Sequence, residues 1–354
     1  MRAEIFNSVP GARKGAFHMP PRRACPPAMD GAPDGPRAMS ALLRGELRLQ
    51  EPMAGHVSWR AGGAVARTYA PADLDDLCAY LRALGDAEPV YFVGLGSNLL
   101  VRDGGLRGTV IFTHRALRAI ALGAAGESGG EVCVEAGVAS PKVARFAAVH
   151  DLVGAEFLAG IPGTIGGALA MNAGCYGGEA WNLVRRVTVV DRAGELHSRT
   201  AAHYRIGYRS VVRRCSQIAG VPPLAAMQRR SGLDEWFVSA VLALPRGDGA
   251  ASRSQVKALL SRRIASQPLG QPNAGSVFRN PPGAYAAKLI EDCGLKGRSI
   301  GGALISPKHA NFIVNTGRAS AGDIEALIEL AQQSVKERFG IALEREVRIV
   351  GDHP

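Results

Sequence analysis

Glycine is concentrated in Gly160-Ile161-Pro162-Gly163-Thr164-Ile165-Gly166-Gly167-Ala168-Leu169-Ala170-Met171-Asn172-Ala173-Gly174. Residues without a Cβ leave backbone N–H groups accessible and let a ligand approach closely, which suits a phosphate-rich cofactor. A second cluster, Gly94-Leu95-Gly96-Ser97-Asn98-Leu99-Leu100-Val101, follows the apolar run Pro89-Val90-Tyr91-Phe92-Val93, so a buried strand is expected to end in an anion-accepting turn. Neither cluster fits the common nucleotide fingerprints. No Gly-Lys-Ser/Thr follows, and Gly94-Leu95-Gly96 is not completed by a third glycine opening a helix. The window Phe157 to Gly178 is uncharged, but Pro162 and the repeated glycines argue against a membrane-spanning helix.

The chain has 354 residues, 47% of them hydrophobic and 21% charged, enough to bury a core divided among two or three domains. A net charge of +11 suits an anionic partner. The basic doublets Arg185-Arg186, Arg213-Arg214, Arg229-Arg230 and Arg262-Arg263 are scattered, and aromatics make up only 6% of residues, so stacking platforms for bases are few. A phosphorylated small molecule is therefore expected in preference to nucleic acid. The six cysteines (Cys25, Cys78, Cys133, Cys175, Cys215 and Cys293) form no Cys-x-x-Cys pair, and the eight histidines are dispersed. No metal site is expected, and reduced thiols point to the cytoplasm.

These chemical candidates need a scaffold. Residues 1–40 are rich in Pro, Ala, Arg and Gly without a signal-peptide core, and are expected to be a disordered extension. Leu74, Leu77, Leu81 and Leu84 recur at helical spacing behind Asp73, predicting a helix over 73–84. Strands are predicted at Val90–Val93, Thr109–Phe112, Glu131–Val138, Val184–Val190 and Trp236–Leu244. Helices are predicted at Lys142–His150, Ser254–Ser266, Ala284–Cys293 and Ala321–Phe339, the last with Ile324, Leu327, Ile328, Ala331 and Val335 on one face. The element order is α+β without strict βαβ alternation.

In chain order, several motifs resemble those of the UDP-N-acetylenolpyruvoylglucosamine reductase family. They are Trp59-Arg60-Ala61-Gly62-Gly63, the Gly94 cluster continuing to Arg102-Asp103, Ile161-Pro162-Gly163-Thr164-Ile165-Gly166-Gly167, and Gly207-Tyr208-Arg209-Ser210. Ala274-Gly275-Ser276-Val277-Phe278-Arg279-Asn280-Pro281, His309-Ala310-Asn311-Phe312-Ile313-Val314-Asn315 and Leu343-Glu344-Arg345-Glu346-Val347-Arg348 complete the series, and the resemblance spans 51–351. It implies an α+β protein with an FAD-binding module of the vanillyl-alcohol-oxidase (PCMH) type followed by a smaller α+β substrate-binding domain. The corresponding divisions are 41–115 and 116–245 for the two FAD-binding subdomains and 246–354 for the substrate domain. It further implies a cytoplasmic monomer of peptidoglycan precursor synthesis, and hence of cell-wall biogenesis, with no nucleic-acid or membrane partner.

The implied chemistry has two halves. NADPH passes hydride to N5 of FAD, and the enolpyruvyl ether of UDP-N-acetylglucosamine then takes hydride at C3 and a proton at C2. Such an alkene carboxylate needs a positioned hydride source, positive charge on the carboxylate, and an acid. By resemblance the acid is Ser276, although a serine after glycine is ordinarily a turn residue. Arg209 is implied to hold the carboxylate and Glu346 to polarise the intermediate or supply protons, with Tyr208 and Asn280 on the substrate. Gly94, Gly96, Ser97, Asn98 and Leu99 are assigned to the FAD pyrophosphate, Gly163, Thr164, Gly166, Gly167 and Ala168 to its second wall, and Arg60 as the nearest cation. FAD is expected to be non-covalent even though Cys175 lies beside the second loop.

The chain departs from the family pattern in three places: the 1–40 extension, a long connection over 215–234, and Val211 where the arginine motif commonly has serine. Tyr204-Arg205 is a competing tyrosine–arginine pair. Another FAD oxidoreductase on the same scaffold would retain the glycine loops without partners for Ser276 and Glu346. A catalytically dead nucleotide-sugar binder would bind ligand without turnover.

Overall fold

The computed structural model describes residues 43–85, 87–214 and 235–354, so the expected extension 1–40 and the connection 215–234 lie outside the described residues. A first unit contains β1 (Glu46–Pro52), β2 (Ala64–Ala70), α1 (Leu74–Ala83), β3 (Val90–Val93), β4 (Leu99–Val101) and β5 (Leu106–Phe112). Its sheet runs β1-β2-β5-β3, with β5 parallel to both neighbours. Strand β5 is buried almost throughout, as a strand covered on both faces should be. Asp73 caps α1 by accepting from the Asp76 amide at 2.9 Å, which is why the helix starts where the acidic residue stood. Leu77 and Leu81 then bury against Tyr69 and Ile111.

A second unit carries β6 (Ile120–Ala125), β7 (Gly129–Glu135), α2 (Ser140–Val149), α3 (Ile165–Ala170) and the short pair β8 (Gly174–Cys175) and β9 (Gly178–Glu179). It continues through β10 (Val184–Asp191), β11 (Leu196–Arg199), the hairpin β12 (Tyr204–Gly207) and β13 (Ser210–Arg213), β14 (Glu235–Pro245) and α4 (Gly249–Ser266). Its main sheet is antiparallel in the order β11-β10-β14-β7-β6. Helix α4 begins earlier than its periodicity suggested, because Asp248 accepts from the Ala250 and Ala251 amides. It packs through Val256 on the core of this second unit.

The C-terminal part consists of α5 (Ala286–Asp292), β15 (Ser299–Ile300), β16 (Ala303–Ile305), β17 (Ile313–Asn315), α6 (Ala321–Phe339) and β18 (Arg348–Val350). The three-stranded sheet β15-β16-β17 packs against α6, whose Ile324, Leu327, Ile328, Ala331 and Val335 are buried as their spacing predicts.

The C-terminal part is fastened to the first unit at three places. Strand β18 pairs in parallel with β4, placing Arg348 beside Leu99. Trp59 is fully buried in the C-terminal core, where its Nε1 donates to the Ile313 carbonyl at 2.7 Å and its own carbonyl accepts from Asn315 Nδ2 at 2.9 Å. Asp103 accepts from the Ala321 and Gly322 amides at the start of α6, and Arg102 makes two 2.8 Å bonds to Glu325 one turn on.

The Arg102 guanidinium holds the Glu325 carboxyl below the usual carboxylate range. A depressed folded pKa gives stability that is complete above the unfolded value of about 4.3 and is lost as pH falls through the folded value. Arg102→Met should cost about 1–3 kcal/mol at neutral pH, less than a fully dry pair because a charge-assisted bond is lost from a partly solvated site. Urea unfolding should show that deficit shrinking below about pH 4. An equal deficit at both pH values would mean that only packing was lost.

Candidate active site

The two glycine clusters meet face to face. A Cβ on Gly94 would stand 2.3 Å from Thr164 Oγ1, and one on Gly163 would stand 3.1 Å from Ser97 Oγ. Gly96 has φ +59°, and a Cβ there would meet the His56 carbonyl at 2.2 Å, so the turn after β3 both requires a left-handed residue and leaves no room for a side chain. The glycine-rich stretch is not loop throughout. Thr164 caps α3 from Ile165 onward, and the helix is buried through Ile165, Ala168 and Leu169.

Donor accounting separates the amides that hold the fold from those left for a ligand. Gly166 N donates to the Ala136 carbonyl at 2.8 Å, Gly167 N to Thr164 Oγ1 at 3.5 Å, and Ala168 N to the Thr164 carbonyl at 2.9 Å. Among the described residues, the amides of Leu95, Gly96, Ser97, Asn98, Gly163 and Thr164 have no backbone or side-chain acceptor outside the strand ladders. Leu99, also assigned to the cofactor from sequence, is the first residue of β4. Amides without acceptors converging from two loops form a candidate anion cradle.

Beside this cradle opens a cleft of about 400 Å³ whose walls include Arg60, Leu95, Ser97, Pro162, Arg263 and Gly275. Arg60 is exposed at its rim with φ +55°. Arg263 was not singled out from sequence beyond its place in a basic doublet. Its Nε donates to Gln267 at 2.9 Å, it has no carboxylate partner among the described residues, and burial lowers its pKa. The signal was positional: α4 turns Arg263 toward the cleft, whereas Arg262 is exposed.

Ser276 follows Gly275 and is half-buried. The chain after it is held on both sides. Asn311 accepts from the Phe278 amide at 2.9 Å and donates to the Phe278 carbonyl at 2.8 Å, while the Val277 carbonyl accepts from the Glu346 amide at 2.8 Å. Glu346 in turn accepts from Arg209 Nε at 2.6 Å. Arg209 occupies the tip of the β12–β13 hairpin with φ +53°, donates through Nη2 to the Gly174 carbonyl at 2.6 Å, and lies over the Tyr208 ring. Arg205, the competing arginine, lies on the exposed face of β12, and its neighbour Tyr204 is buried against Glu235. Asn98 ties the first glycine cluster to the same place by donating to the Glu346 carbonyl at 3.2 Å.

Tyr208 is 47% exposed at the hairpin tip. Asn280 is exposed, and its Oδ1 accepts from the Ala286 amide at 3.1 Å, so its side chain fastens the start of α5. Cys175 donates to the Phe157 carbonyl at 3.1 Å, and burial pushes its thiol up to about 11, which keeps it protonated and poorly nucleophilic at neutral pH. Burial lowers the pKa of His309, and its Nδ1 accepts from the Asn311 amide at 3.3 Å, so it is a neutral ring supporting the Asn311 clamp. No cluster of metal-ligating side chains occurs among the described residues, and none of their helices is long and apolar enough to cross a membrane.

Comparison with known proteins agrees with this arrangement. An FAD binding domain family model matches residues 65–199, and one described as the C-terminal domain of UDP-N-acetylenolpyruvoylglucosamine reductase matches residues 267–350. A UDP-N-acetylenolpyruvoylglucosamine reductase of Nitrosospira multiformis is 55% identical across 88% of this chain and 90% of its own length. The chain belongs to the UDP-N-acetylenolpyruvoylglucosamine reductase family. A reductase of the same name from Thiobacillus denitrificans is 53% identical over 88% of this chain and 94% of its own. The crystal structure of the reductase from Thermus caldophilus superposes with a TM-score of 0.66 at 28% identity, covering 87% of this chain and 99% of that one.

The protein is thus an FAD oxidoreductase of α+β fold, with an FAD binding domain ahead of a family-specific C-terminal domain. The unpaired amides on the two loops fit the pyrophosphate of that cofactor. Gly94→Ala forces the loops apart at Thr164 and should yield protein carrying at least about tenfold less FAD. The ratio of visible to ultraviolet absorbance after purification measures it, and full flavin content would remove the two-loop contact from the binding site.

Proposed function

We propose that the protein reduces the enolpyruvyl ether of UDP-N-acetylglucosamine to UDP-N-acetylmuramate, with NADPH as donor and non-covalently held FAD as carrier, in the cytoplasm. The supporting observation is the contact of Arg209 with Glu346 where the Glu346 amide is bonded to the chain just after Ser276. Three groups of different chemistry, from three parts of the sequence, are thereby brought next to one another, and Gly275, which precedes Ser276, is in the wall of the cleft.

Each group has a part in the proposed reaction. Bound flavin, once reduced by NADPH, would supply hydride to C3 of the alkene. As the electron pair moves toward C2 and the carboxylate, the Arg209 guanidinium balances the growing negative charge. The Ser276 hydroxyl then gives its proton to C2. A serine is a weak acid, so this step relies on a strongly basic carbanionic acceptor and on neighbouring positive charge for the oxygen left behind. Glu346, bonded to Arg209 in the free protein, fixes that guanidinium before substrate arrives and gives protons a route back. Open amides at 95–98 and at 163–164 would hold the FAD pyrophosphate with Arg60 as the nearest cation, and Arg263 would face the phosphates of the nucleotide substrates.

Anaerobic NADPH should bleach the flavin, and only the enolpyruvyl ether should restore its yellow colour. Return of colour with oxygen alone would favour an oxidase. Ser276→Ala should leave reduction by NADPH nearly intact and slow reoxidation by the ether on the order of 10²-fold or more, the loss typical of a missing general acid. Equal losses in both halves would refute Ser276 as the acid.

A further inference from the structure

We infer that Arg279 is a positioning residue for Arg209: its guanidinium holds the main chain of the hairpin tip against the segment that carries Ser276. The inference rests on the reading that Arg209 receives the substrate carboxylate.

Arg209 is fastened in two independent ways. Its side chain is held by Glu346 at 2.6 Å and by the Gly174 carbonyl at 2.6 Å. Its main chain lies in a two-residue connection between Gly207 and Ser210, at φ +53°. A left-handed conformation is disfavoured for a residue with a Cβ, and such connections usually recruit Gly, Asn or Asp. Some other contact has to hold an arginine there. The Arg209 carbonyl accepts from Arg279 Nη2 at 3.2 Å.

Arg279 is well placed to be that contact. Its own amide donates to the Glu344 carbonyl at 2.9 Å, and Phe278 pairs with Arg345, so 277–279 and 344–346 run side by side. The segment bearing Ser276 and the segment bearing Glu346 are thereby locked together, and the Arg279 guanidinium reaches across from them to the hairpin. Its other contact, to Glu344 Oε2 at 3.3 Å, is to a carboxylate 75% exposed, and exposed pairs of this kind contribute little. Its Nε is buried with no acceptor among the described residues. That cost is tolerated where the remaining bonds matter, and a planar fork can span the Glu344 carboxylate and the Arg209 carbonyl at once as a lysine cannot.

The test uses the FAD-loaded protein with Arg279→Met, Arg279→Lys and Glu344→Ala. Hydrogen exchange of the ligand-free holoenzyme should show the amides of 207–210 exchanging faster in Arg279→Met while the sheets keep wild-type protection. In stopped flow, Arg279→Met should reduce with NADPH within about twofold of wild type but reoxidise with the enolpyruvyl ether roughly 10- to 10²-fold more slowly, the penalty of a misplaced group. Arg279→Lys should recover only part of that loss, and Glu344→Ala should match wild type in both halves. The inference is overturned if Arg279→Met matches Glu344→Ala, or if both half-reactions fall together with faster exchange throughout the protein. Should wild-type flavin itself fail to reoxidise with the ether, the functional reading is wrong, and exchange at 207–210 alone then decides whether Arg279 holds the hairpin.

Discussion

Everything at this site depends on two loops from different units touching with no side chain on Gly94 or Gly163 to hold them apart. Thr164 Oγ1 occupies the space that a Cβ on Gly94 would need. That hydroxyl also starts α3, so one side chain ends the second loop, caps a helix and sets the distance to the first loop. The arrangement leaves amides unsatisfied on both sides, a condition that proteins tolerate where a ligand completes the bonding. The proposed phosphate cradle rests on what the glycines leave unpaired, and no lysine is among the described residues that line the neighbouring cleft.

The C-terminal domain is held to that cradle by polar residues that chemistry alone would not explain. Asn315 donates to the Trp59 carbonyl, the Trp59 indole donates to the Ile313 carbonyl, Asp103 caps α6, and Arg102 pairs with Glu325. The family motifs therefore mix two kinds of residue. In the run from Gly94 to Asp103, the first half offers amides and the last two residues dock a helix. In His309–Asn315, Asn311 straightens the chain beyond Ser276, while Asn315 fastens the tryptophan. In the proposed reaction rigid docking matters because Ser276 and the loops proposed to hold FAD belong to different parts of the fold, and small displacements of reacting groups carry large rate penalties.

Long elements with a clear period or cap were legible in the sequence: α1 behind Asp73, β3, β10 and α6 with its buried stripe. Short or context-dependent elements were not. Helix α3 is hidden among glycines because tertiary contact with Ala136, rather than propensity, stabilises it. Strands β15 to β17 are two or three residues long and exist only as a sheet against α6. At the site, motif order pointed to Ser276, Arg209 and Glu346, and the structure puts Arg209 on Glu346 and the Glu346 amide on the residue after Ser276. No local pattern could have indicated that Asn280 caps α5, that Gly166, Gly167 and Ala168 spend their amides within the fold, or that Arg263 lines the cleft. Those facts arise from contacts between distant parts of the chain.

The most direct test of the account is a crystal structure with FAD and the enolpyruvyl ether bound. It should place pyrophosphate oxygens within about 3 Å of amides in both 95–98 and 163–164, with the ether carboxylate on Arg209 and C2 facing Ser276. A pyrophosphate bound away from either loop, or a carboxylate held by other residues while Arg209 stays on Glu346, would contradict it.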